Sequence, residues 1–126
     1  MSIDRTILIA DDDREIRLGV TELLAPLGLQ IVEAETGLDA LSIARERRFE
    51  AMVLDGHMPG CDGLEVLMSL PLELRIPCIF CTGKPSEALE REVLAAGAFA
   101  FLKKPIQPAL LRSQVVRAVE HSLGLN

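Results

Sequence analysis

The sequence predicts an α/β domain, built as a doubly wound, five-stranded parallel sheet with five helices. Short apolar runs of strand length recur five times, and segments with apolar residues at helical spacing separate them. The connections are short, so each helix can return the chain for another parallel strand. Two of the runs, Ile7-Leu8-Ile9-Ala10 and Met52-Val53-Leu54, end directly on aspartate. In sheets of this kind, sites form at the carboxyl ends of the strands where strand order reverses. The aspartates there are therefore the first candidates for function.

The first strand, residues 7–10, is a continuous apolar run and reads as buried on both faces. Ile16, Val20, Leu23, Leu24 and Leu27 then recur at helical spacing, with Asp12 or Asp13 as N-cap and Gly28 as the stop. Residues 30–34 form the second strand. Thr36 caps a second helix carrying Leu38, Leu41 and Ala44. Its end at Arg45, Arg47 and Arg48 suits the negative pole of a helix. Residues 50–55 form the third strand, and residues 56–63 a loop rich in Gly and Pro, in which Asp62 reads as a turn residue. Leu64, Leu67 and Met68 mark a short third helix before Pro71. Residues 76–82 form the fourth strand, and Ser86 caps a fourth helix with Leu89, Val93 and Leu94, closed by Gly97. Residues 99–103 form the fifth strand. Pro108 fits the first turn of a fifth helix that runs to about residue 122. No repeat, low-complexity tract or linker interrupts the alternation.

A chain of 126 residues fits one domain, able to bury roughly two-thirds of its surface. Its 49% hydrophobic and 25% charged residues are those of a globular protein. A net charge of -6 disfavours direct binding to nucleic-acid phosphates, which needs clustered Lys and Arg. It suits a cation or a basic protein face. No apolar stretch reaches the roughly 18 residues of a membrane span, and residues 1–6 do not form a signal peptide. A cytoplasmic location is expected. Cys61, Cys78 and Cys81 are odd in number and irregularly spaced, which argues against a disulfide framework. Cys78 and Cys81 fall on one strand, where an odd separation sends side chains to opposite faces. Both read as small apolar filler rather than a redox or zinc pair.

The strand ends deliver Asp11, Asp12 and Asp13, then Asp55, Thr82 and Lys104. Carboxylates a few ångströms apart cannot all ionise comfortably without a cation or a raised pKa. Oxygen donors suit hard cations, and magnesium prefers one or two carboxylates with waters and phosphate oxygens. Calcium fits less well, because no spaced calcium loop is present, and zinc is disfavoured because His57 and the cysteines lack ligand spacing. Lys104 and Thr82 opposite a metal would cradle a tetrahedral anion, one through charge and one through a hydrogen bond. Asp55 could then be a nucleophile that becomes an aspartyl phosphate. Asp13 is better read as a helix cap, and Lys103 as a solvated charge. Thr82 and Phe101 are each also compatible with a plain structural role in a strand.

Four motifs, in order and at the right strand ends, carry a resemblance. They are Ile7-Leu8-Ile9-Ala10-Asp11-Asp12-Asp13, the stretch from Asp55-Gly56-His57-Met58-Pro59 to Gly63, Thr82-Gly83, and Phe101-Leu102-Lys103-Lys104-Pro105. Over about residues 4–122 the chain resembles the receiver domain of two-component response regulators, a flavodoxin-like fold. The resemblance implies that Asp55 is the phosphoacceptor. It implies that Asp12 binds magnesium directly, that Asp11 is its acidic partner, and that the His57 carbonyl is a further ligand. Thr82 matches the hydroxyl that binds the phosphoryl group, Phe101 the aromatic that moves with it, and Lys104 the lysine that pairs with a phosphoryl oxygen. Lys104 is preferred to Lys103 because it directly precedes proline, at a bond usually cis in the family.

The departures are mild: Asp13 where glutamate is usual, Phe101 for tyrosine, and Gly83 where alanine is common. His57 and Lys84 stand where the family tunes phosphate lifetime. The implied function is a signalling switch rather than an enzyme, with self-catalysed phosphotransfer and autodephosphorylation. The implied partners are a sensor histidine kinase or phosphotransfer protein and a downstream output protein or domain. A homodimer is possible, and neither nucleic acid nor membrane is contacted directly by this domain. Two other readings compete. A haloacid-dehalogenase-type hydrolase would need an aspartate where His57 stands, together with a cap domain. A pseudo-receiver that only binds partners is opposed by the intact Asp12, Asp55, Thr82 and Lys104.

Overall fold

The computed structural model describes residues 5–74 and 76–125. Five parallel strands form one sheet: β1 (Thr6–Ala10), β2 (Gln30–Ala34), β3 (Ala51–Asp55), β4 (Cys78–Thr82) and β5 (Ala100–Lys103). Their order in space is β2-β1-β3-β4-β5. The order turns back on itself between β1 and β3, so the ends of those two strands flank the crevice where a doubly wound sheet binds ligands. Ala10 pairs with Leu54 across this seam, which brings Asp11 beside Asp55.

Helices α1 (Arg14–Leu24), α2 (Gly37–Ala44), α3 (Gly63–Ser69), α4 (Glu87–Ala95) and α5 (Pro108–Ser122) cover both faces. The three inner strands, β1, β3 and β4, are buried at every position, as their unbroken apolar runs require. Successive residues alternate between two cores. Leu8, Met52, Leu54, Cys78 and Phe80 pack against α2, α3 and α4. Ile7, Ile9, Val53, Ile79 and Cys81 pack against α1 and α5. Cys78 and Cys81 thus do face opposite ways.

Most helix starts are fixed as the sequence predicts. The side chains of Asp13, Thr36 and Ser86 accept from Glu15, Asp39 and Leu89 backbone N–H groups at 2.9, 3.0 and 3.0 Å. Three local expectations change. Helix α1 ends at Leu24 and tightens into a 3-10 turn, Ala25–Leu27, around Pro26, before Gly28 closes it at φ 70°. Asp62 is more than a turn residue: it forms a capping box with Glu65, each side chain accepting from the other's backbone N–H. Helix α2 ends at Ala44, so Arg47 and Arg48 lie beyond the reach of its last carbonyls. They act in tertiary contacts instead, Arg47 donating to Thr6 and Gln30, and Arg48 reaching Glu50 and the Ser122 carbonyl. The start expected at residue 4 lies outside the described residues.

Candidate functional site

Four strand ends build the site. Asp11 and Asp12 follow β1, Asp55 ends β3, Thr82 ends β4 and Lys104 follows β5. One carboxylate oxygen from each of Asp11, Asp12 and Asp55 lies within 4.8 Å of the others. Asp11 and Asp55 are buried and Asp12 is exposed, so the group opens to solvent on one side only. The Lys104 ammonium stands between the buried pair, 2.8 Å from Asp55 Oδ1 and 3.4 Å from Asp11 Oδ2. The Lys104-Pro105 peptide is cis.

The charges are unevenly satisfied. Burial raises the Asp11 carboxyl above its ordinary range and Asp55 adds to the rise, against the Asp13 N–H and Lys104. Burial alone would lower the Lys104 ammonium. Its hydrogen bond to Asp55 and the charges of both aspartates outweigh that and hold it above the usual lysine value. One lysine thus faces three carboxylates, and the oxygen-only donor set matches a hard divalent cation. Asp13 takes no part: its side chain caps α1.

Thr82 is fully buried, and its Oγ1 accepts from the Lys84 N–H at 3.0 Å. The hydroxyl proton is left to donate elsewhere. Phe101 is half-buried and stacks on Phe80, with ring centroids 5.9 Å apart and planes within 8°. His57 and Lys84 are exposed at the rim, and a side chain on Gly83 would meet nothing within 4 Å.

Two features escape a linear reading. Gly56, next to Asp55, has no room for a side chain, because an added Cβ would lie 2.9 Å from Phe80 Cζ. Arg17, on α1, is buried and donates from Nη1 to the Asp11 carbonyl at 2.8 Å. The position of Arg17 on an otherwise largely exposed helix gives no signal in the sequence. A groove of about 510 Å³ lies at the other end of the sheet, between Leu74, Ile76, Ala98 and His121. None of Asp11, Asp12, Asp55, Thr82 and Lys104 lines it.

Fold and site together define a doubly wound domain with an acidic crevice at its switch point, one whose three carboxylates could hold a cation. The family model of the response regulator receiver domain matches residues 7–116, and the chain belongs to that family, the switches of two-component signalling. It is 39% identical over 102 residues to the virulence factors putative positive transcription regulator BvgA of Bordetella pertussis, covering 78% of this chain and 48% of that protein. It is 30% identical to the transcriptional regulatory protein FixJ of Rhizobium meliloti, covering 94% and 58%. The chain therefore spans about half the length of these relatives. A CheY-like receiver domain protein from Methanospirillum hungatei superposes with a TM-score of 0.89 at 26% identity, over 98% of this chain and 100% of that one. No helix among the described residues is long and apolar enough to cross a membrane.

Proposed function

We propose that residues 4–122 form a receiver that accepts a phosphoryl group on Asp55 and reports its arrival to an output protein or domain. The donor is a phosphohistidine on a sensor kinase or phosphotransfer protein. An Asp55 oxygen forms the new P–O bond as the P–N bond to the donor imidazole breaks, and the imidazole recovers a proton from solvent. Asp11, Asp12, Asp55 and the His57 carbonyl would hold Mg2+, which supplies charge neutralisation for the phosphoryl oxygens. Lys104 transfers from Asp55 to a phosphoryl oxygen. Thr82 donates its hydroxyl proton to another, and Phe101 shifts with it. The observation that carries this reading is the single ammonium 2.8 Å from Asp55 inside a three-carboxylate group.

Water attack on the aspartyl phosphate resets the switch. His57 and Lys84 border the approach and set the lifetime, while Gly83 leaves it open. An unchanged autodephosphorylation rate after replacing both His57 and Lys84 would discard that assignment. The chain acts as a switch rather than as an enzyme and works in the cytoplasm. Its charge of -6 assigns any DNA contact to an output partner rather than to this domain.

Incubation with Mg2+ and acetyl phosphate, followed by intact mass measurement, tests the proposal. One phosphoryl group is expected on the wild-type chain and none on Asp55→Asn. No adduct at saturating donor and Mg2+ would leave a protein-interaction module that no longer takes phosphate.

A further inference from the structure

The buried arginine of α1 serves no part of the phosphoryl chemistry described so far. Its side chain is 7% exposed. Burying a guanidinium is costly unless every donor direction finds a partner. Arg17 meets that demand at three points. Nη1 donates to the Asp11 carbonyl at 2.8 Å, Nε donates to Glu33 Oε1 at 2.9 Å, and Nη2 stands 3.8 Å from Glu35 Oε1. Glu33 is on β2, directly across from Ile9 of β1. The guanidinium thus ties the turn after β1 to the edge strand.

That turn is held from other directions too. The Asp11 N–H donates to the Ala34 carbonyl at 3.2 Å, and Asp11 Oδ1 accepts from the Asp13 N–H at 2.9 Å. The Asp11 carbonyl belongs to the peptide that joins Asp11 to Asp12. Holding that planar peptide fixes the Asp11 and Asp12 Cα atoms relative to each other and limits how far either side chain can swing. The need is physical: the carboxylates of Asp11, Asp12 and Asp55 repel one another, and a loose turn would relieve the repulsion by swinging outward.

We propose that Arg17, anchored by Glu33, is a positioning residue for the divalent-cation site, holding Asp11 and Asp12 in a ligating arrangement before any ion arrives. The proposal rests on the reading that these aspartates bind Mg2+. Outer-shell partners of this kind change metal affinity by about 10–100-fold when removed. A plain charge effect has the opposite sign, because deleting a nearby cation should tighten cation binding.

The test is Mg2+ titration of the intact chain by isothermal calorimetry, since a chain without Trp or Tyr offers little fluorescence signal. Arg17→Lys keeps the charge and loses the fork, Arg17→Met loses both, and Glu33→Gln weakens the anchor. The expected result is Mg2+ affinity lowered about tenfold or more in both Arg17 variants and less in Glu33→Gln. Thermal unfolding of each metal-free variant separates this from a general loss of structure. Arg17→Lys with a lowered melting temperature but wild-type Mg2+ affinity overturns the proposal, and so does tighter binding in Arg17→Met. If wild type itself binds no Mg2+, the cation reading falls and the positioning role with it. If wild type binds and Arg17→Lys matches it, only the positioning role falls.

Discussion

On the side of the sheet covered by α1 and α5, the core is aliphatic, built from residues such as Ile7, Ile9, Val53, Ile79 and Leu111. The strand positions on that side run out into Asp55 and toward Asp11 and Lys104, which line one small cavity with Ile9, Val53 and Cys81. On the side covered by α2, α3 and α4, the core holds Phe49, Phe80, Met52 and Met58, with Phe101 against it. Thr82 belongs to this second side, two residues beyond Phe80. Side chains on a strand alternate between faces, so Asp55, the proposed phosphoacceptor, and Thr82, the hydroxyl proposed to answer it, start from opposite sides. Fixed charge pairs occupy one side and stacked rings the other. The difference suggests a division of labour under the proposed function: the aliphatic side positions charge, and the aromatic side holds the residues proposed to move.

Substitutions on each side should therefore fail differently. The largest effect is expected from Phe80→Ala, which empties a fully buried ring site and should lower unfolding free energy by about 3–5 kcal/mol in urea denaturation. Lys104→Met should leave the fold nearly intact and slow phosphorylation by acetyl phosphate about 10²–10³-fold, as loss of a positioned charge does. A Lys104→Met chain that reacts at the wild-type rate would erase the contrast between the two sides. Gly56→Ala crosses between them: its methyl would press on the Phe80 ring, which is held against Phe101. It should cost about 1–3 kcal/mol. Combined with Phe80→Leu, the cost should be less than the sum of the two, because one clash is relieved.

The smallest effect is expected at the thiols. Burial pushes Cys78 and Cys81 up to about 12. Since the thiolate is the nucleophile, about one in 10⁵ would be reactive at pH 7, and the fraction grows as pH rises toward that value. Alkylation of the native chain followed by mass measurement should modify neither, and denaturant should expose both. Labelling of native Cys81 would mean that the charged side is not closed.

How much was legible in the sequence depended on distance along the chain. The three inner strands and their terminal groups could be read because a buried strand writes itself as a continuous run and its end follows immediately. Asp13, Thr36 and Ser86 could be read as caps for the same local reason. Asp62 could have been, since Glu65 stands three residues on, the spacing of a capping box. Pro26 likewise carried the earlier end of α1. The contacts of Arg17 with Glu33 and of Gly56 with Phe80 join residues 16 and 24 positions apart, and no periodicity announces such pairs. Arg47 and Arg48 misled because a helix pole is a local attraction, whereas their partners lie elsewhere: Thr6, Gln30 and Ser122 are remote in sequence, and only Glu50 is near.

The Lys84 amide, bound to the Thr82 oxygen, gives the site a built-in gauge. If Thr82 turns toward a phosphoryl group, that 3.0 Å bond is the first to lengthen, and the segment from Gly83 to the Ser86 cap of α4 loses its tether. A neutral hydrogen bond is worth about 1 kcal/mol, so the tether slightly favours the resting rotamer and can be broken by a modest ligand. Hydrogen exchange at this one amide should quicken when beryllofluoride and Mg2+ are added to the wild-type chain, and stay constant in Asp55→Asn. A single proton would then report whether the switch has been thrown.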